Sequence, residues 1–69
     1  MNTTVAKNLK SVSNQISSSD PYFYNKLKIS WEKLDHRTRG KLKASLIRGK
    51  NSQVQAGQFV IKLRSLVDF

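Results

Sequence analysis

The apolar residues of this chain recur mostly at helical spacing. Val5, Leu9, Val12 and Ile16 stand at i, i+4, i+7 and i+11, one face of a helix. Asn, Ser, Lys and Gln fill the rest of that segment. The pattern predicts a weak helix over 4–17, with a narrow stripe and a tendency to fray. Ser17-Ser18-Ser19-Asp20-Pro21 reads as a break and a restart. Asp20 suits the N-cap because its carboxylate accepts an orphan backbone N–H. Pro21 suits the first helical position, where its missing N–H would have no partner anyway.

A second helix follows over 21–34, with Phe23, Leu27, Trp31 and Leu34 on its core face and Tyr24 at the edge. Tyr22 and Ile29 lie on another face and are expected to be exposed. Asp35 caps a third helix over 36–48. Gly49-Lys50-Asn51 marks its end, with Gly49 near the C-cap. Ser52-Gln53-Val54-Gln55 matches a capping box, S-x-x-Q, opening a fourth helix over 53–67. There Ala56, Phe59, Val60, Leu63, Leu66 and Val67 share a face. The run Phe59-Val60-Ile61 also suits a strand, but the helical stripe accounts for more of the apolar residues. The expected fold is all-α: a compact bundle of three to four short helices in one small domain over 1–69, with 1–19 weakly ordered.

Length sharpens this picture. A chain of 69 residues buries only about 60% of the surface exposed by its unfolded form. There are no cysteines, so no disulfide or thiolate metal site adds stability. One His and four acids (Asp20, Glu32, Asp35 and Asp68) are too few for a metal cage, and no cofactor motif is present. Stability must come from helix or sheet packing, or from pairing with a second copy. The longest apolar run, Phe59-Val60-Ile61, falls far short of the roughly 20 residues that span a bilayer. The N-terminus has no apolar run of signal-peptide length. These features lead to the expectation of a soluble, cytoplasmic protein with no membrane partner.

Charge changes the picture most. Thirteen basic and four acidic residues give a formal net charge of +9. From His36 to Val67 there are eight Lys or Arg and no acid. At 100° per residue, Leu42, Ser45, Leu46 and Gly49 form the core stripe of the third helix. Arg37, Lys41 and Arg48 fall on one flank, and Arg39, Lys43 and Lys50 on the other. Gly40, Ala44 and Ile47 form a low outer ridge between the flanks. A solvated helix face normally interleaves acids, which relieve repulsion. Their absence here points to a polyanionic partner.

Nucleic acid is the first candidate, with duplex DNA favoured over RNA, and the protein acting as a regulator or accessory factor. The cations would hold phosphates while Ile47 could touch a thymine methyl. Gln55, Gln58 and Lys62 make a second reading face, since Gln can bond adenine bidentately, and Arg64 extends the patch. The two C-terminal helices resemble a helix-turn-helix only loosely, because the turn and the spacing of small residues fit that pattern poorly. The alternative is an inhibitor or adaptor that docks on an acidic protein surface, with Tyr22, Ile29 and Ile47 as anchors. A homodimer is compatible with both. No enzyme constellation is visible: His36 is the lone histidine, no carboxylates are paired, and Gly40, Gly49 and Gly57 are isolated.

Overall fold

A computed structural model describes residues 2–17 and 20–68. They form four helices: α1 (Thr3–Ile16), α2 (Pro21–Glu32), α3 (His36–Gly49) and α4 (Gln53–Leu66). No strand occurs among the described residues, and Phe59-Val60-Ile61 is helical. Part of the expected break, positions 18 and 19, lies outside the described residues, as do 1 and 69.

Each helix begins at a side-chain cap. Asn2 Oδ1 accepts from the Thr4 N–H at 2.7 Å. Asp20 Oδ1 accepts from Tyr22 N and Phe23 N at 3.0 and 3.2 Å. Asp35 Oδ1 accepts from Thr38 N at 2.8 Å, and Ser52 Oγ from Gln55 N at 3.4 Å. The last three were legible as caps in the sequence. Pro21 occupies the first turn of α2 as expected.

The stripes converge on one core. Leu9 and Val12 of α1, Leu27 and Trp31 of α2, Leu42 and Leu46 of α3, and Ala56, Phe59, Val60 and Leu63 of α4 are buried together. Trp31 and Phe59 pack as a tilted aromatic pair, ring centroids 6.2 Å apart, a favoured geometry beyond simple area burial. Helix α1 touches all three others, and α3 with α4 forms the most extensive pair. α1 runs beside α3 in the same direction: Val5 lies by Gly40 and Lys43, Val12 meets Gly49, and the Gln15 side chain donates to the Lys50 carbonyl at 3.2 Å. The radius of gyration, 10.5 Å, is close to the roughly 11 Å of a compact globule of this length.

Three expectations need correction. α2 ends at Glu32, so Leu34 reaches the core from the turn rather than from the helix. Leu66, assigned to the core stripe of α4, is 53% exposed. It lies about 60° off Leu63 at the last helical residue, where no following turn covers it. Ile16, placed on the apolar face of α1, is 39% exposed at the last helical residue. Gly49 does end α3 beside the C-cap Lys50, as expected, though without positive φ. Its role is close packing. A Cβ built on Gly49 would lie 3.1 Å from Ala56 Cα and 3.1 Å from Val12 Cγ2.

Substituting Gly49→Ala is therefore expected to lower Tm in thermal circular dichroism, although Ala is the better helix former. Overpacking against backbone costs about 1–3 kcal/mol, against a propensity gain of about 1 kcal/mol. Ser45→Ala on the same helix should leave Tm unchanged or raise it. The Ser45 hydroxyl is buried with no hydrogen-bond partner among the described residues, so its removal relieves a desolvation cost.

Candidate nucleic-acid interface

Helix α3 buries the stripe expected of it: Leu42, Ser45, Leu46 and Gly49 all face inward. Gly40, Ala44 and Ile47 are exposed on the outer ridge, Ile47 by 51%. Arg37, Lys41, Lys43 and Arg48 are exposed, and Lys50 is half-buried at the C-cap.

Arg39 differs from the other cations. Its Nε donates to the Trp31 carbonyl at 3.2 Å and its Nη2 to the Glu32 carbonyl at 2.9 Å. Nη2 also lies 3.7 Å from the Glu32 carboxylate, with the Arg39 side chain only 31% exposed. The Trp31 carbonyl also accepts from the Leu34 N–H at 3.1 Å; the guanidinium adds a charged donor to the last carbonyls of α2 and meets the negative end of the helix dipole. The expectation that nothing neutralises the cations of this helix thus fails at Arg39. Its partner comes from the preceding helix, across a turn that a single-helix projection ignores.

The flank carrying Arg39 and Lys43 borders α1. Two adjoining depressions run along it, sharing Asn2, Val5 and Lys43. One, about 230 Å³, adds Trp31, His36, Arg39 and Gly40. The other, about 310 Å³, adds Asn8, Leu46 and Ile47. Arg37, Lys41 and Arg48 occupy the opposite edge of the α3 stripe, away from α1.

On α4, Gln58, Lys62 and Arg64 are exposed and Gln55 is half-buried. Gln55, Gln58 and Lys62 fall within about 60° on that helix, so they share a face. Sequence reasoning missed its neighbour: Val54 and Ile61 are 69% and 68% exposed, two turns apart. Their signal was present, since neither belonged to the core stripe.

Tyr22 and Ile29 are exposed on α2 as expected, in a depression shared with Lys26, Lys33 and Asp68. Lys26 Nζ stands 5.4 Å from the Tyr22 ring centroid, a weak cation–π contact at such a site. Ile47 lies instead in the furrow against α1. The three suggested anchors therefore do not make one patch.

Electrostatics at the start of α3 are local. Hydrogen bonds from the Thr38 side chain and backbone hold the Asp35 carboxyl below its usual value of 3.8, helped by Lys41 and Arg39. Among the described residues, no cluster of His, Cys, Asp or Glu could hold a metal ion, and no helix is long and apolar enough to cross a membrane. Comparison with known proteins finds no matching family model, no matching curated protein and no matching solved structure.

Two expectations follow from this geometry. Arg39→Gln should lower Tm, because two α2 carbonyls lose a charged donor, by about 1 kcal/mol in stability at this partly exposed position. Arg48→Gln, on an exposed side chain, should leave Tm nearly unchanged. For Asp35, a lowered folded-state pKa means that its contribution is fully present above 3.8 and is lost as pH falls through the lower folded value. Asp35→Asn, which retains a capping oxygen, should therefore flatten the fall of Tm between about pH 5 and about pH 2.

Proposed function

We propose that this chain is a small nucleic-acid-binding protein that engages duplex DNA through α3 and serves as a regulator or accessory factor. The observation that carries the reading is the exposed, acid-free outer face of α3. Arg37, Lys41, Lys43 and Arg48 surround the low ridge of Gly40, Ala44 and Ile47. Like charges at helical spacing destabilise an isolated helix, and a polyanion removes that penalty. Phosphate neutralisation also releases condensed counterions, which drives association.

The shape of the ridge favours DNA. A B-form major groove, about 12 Å wide, admits a helix, whereas the major groove of A-form RNA is too deep and narrow to be read by side chains. Small residues at Gly40 and Ala44 let a nucleic-acid backbone approach the helix closely. Ile47 offers an apolar contact to a thymine methyl, with Arg37, Lys41 and Arg48 on one side and Lys43 on the other to reach the phosphates. Gln55, Gln58 and Lys62 supply a second polar face on α4.

A second reading, docking on an acidic protein surface, draws support from exposed Tyr22 and Ile29 on α2, flanked by Lys26 and Lys33. Fluorescence anisotropy with a labelled mixed-sequence duplex, repeated over a range of salt, separates the two. Under the DNA reading, log affinity falls linearly with log salt. The variant Arg37→Gln/Lys41→Gln/Arg48→Gln then reduces the slope by about 2 to 3. No binding at low salt would remove the DNA reading and leave nuclease-resistant capture of a protein partner as the next measurement.

A further inference from the structure

The geometry points to a phosphate-binding furrow on the α1 side of α3, centred on Gly40, as the place where the nucleic-acid backbone comes closest to the protein. The inference rests on the reading of α3 as the nucleic-acid surface. It adds which of the two cationic flanks sets the position of the strand, and where.

Gly40 carries the argument. It stands within α3, exposed, and a Cβ there would meet nothing within 4 Å beyond its own stretch of helix. Glycine in a helix interior is less stable than alanine, because it loses more backbone freedom on folding. At Gly49 the fold repays that loss through a close contact with α4 and α1. At Gly40 nothing inside the protein does. Openness alone marks no site, since Gly57 is equally open. What singles out Gly40 is the cationic concavity that it lines, where something outside the chain approaching the α3 backbone would repay the loss.

The surroundings say what that something is. Gly40 lines the 230 Å³ depression with Val5, Trp31, His36, Arg39 and Lys43. His36 and Lys43 stand one helical turn either side of Gly40 on the same edge of α3. The Arg39 guanidinium is held in place by the Trp31 and Glu32 carbonyls. The one acid at the rim, Glu32, is already beside Arg39 at 3.7 Å. A concavity with a fixed guanidinium, an exposed lysine and a bare backbone at its edge suits a tetrahedral anion. On a polyanionic strand that anion is a phosphodiester. The Arg37–Lys41–Arg48 flank has no such concavity lined by a glycine among the depressions described, and is suited to diffuse attraction.

Gly57 supplies a control on α4. It too is helical, and a Cβ there meets nothing within 4 Å. Gly40→Ala and Gly57→Ala should both raise Tm, by about 4 °C or more in a domain of this size. The furrow separates them in binding. Gly40→Ala, and more strongly Gly40→Leu, should weaken the labelled duplex and reduce the salt slope by about 0.9, the loss of one phosphate contact. Gly57→Ala should bind as the native chain does. If Gly40→Leu is folded and binds the duplex with native affinity and slope, the furrow is overturned. The wider reading then survives only if Arg37→Gln/Arg48→Gln still weakens binding.

If the native chain binds no duplex, the reading of α3 fails, and inorganic phosphate titrated into the ¹⁵N-labelled chain decides the furrow. Saturating shifts at the Gly40 and Lys43 amides, absent in Gly40→Leu, would retain it as a site for a free phosphate. Non-saturating or uniformly distributed shifts would overturn it.

Discussion

Helices α1, α3 and α4 meet where Gly49 leaves no room for a side chain. Ala56 and Val12 fill that space, so the α3–α4 pair closes tightly at its turn and α1 can lie along both. The rest of the core follows from this approach. Phe59 and Leu63 reach inward to Trp31 and Leu27, and Leu9 closes the centre from α1. A short chain has no second core to fall back on, and interiors packed to crystal-like density do not absorb an added methyl at a backbone contact.

The same packing disposes of the charge. Three of the four acids serve the architecture: Asp20 and Asp35 cap helices, and Glu32 stands beside Arg39 at the end of α2. The fourth, Asp68, lies near Lys33 beyond the end of α4, so no acid interleaves with the cations on the outer face of α3. The acid-free face is thus partly a consequence of where a scarce resource is used. Within the fold the repulsion is relieved only near the start of α3, by Glu32 beside Arg39 and Asp35 near Lys41, and the cations left over motivate the proposal of an anionic partner.

The elements were largely legible, for local reasons. Asp20, Asp35 and Ser52 cap because each sits one residue before a helical pattern, and the stripe of α3 was recoverable residue by residue. The failures were of another kind. Leu66 matched the stripe but lies where α4 runs out of cover. Gly49 ends α3 as read, but its close packing against α4 and α1 was not legible. Arg39 looked like one of six equivalent cations and is half-withdrawn to cap α2. In the candidate site, Arg37, Lys41, Lys43 and Arg48 were read as exposed and are, while the furrow beside Lys43 was invisible because half of its wall belongs to α1.

Residue order determined the helical segments, three of their four caps and most of each inward stripe, because these depend on neighbours three or four positions away, and it fixed the excess of positive charge. Tertiary structure decided which stripe meets which, that Gly49 rather than another small residue marks the close approach, and that one flank of α3 faces a concavity while the other faces open solvent. Those outcomes depend on contacts between residues such as Val12 and Gly49, far apart in the chain, and helical periodicity says which face is buried without saying what lies against it.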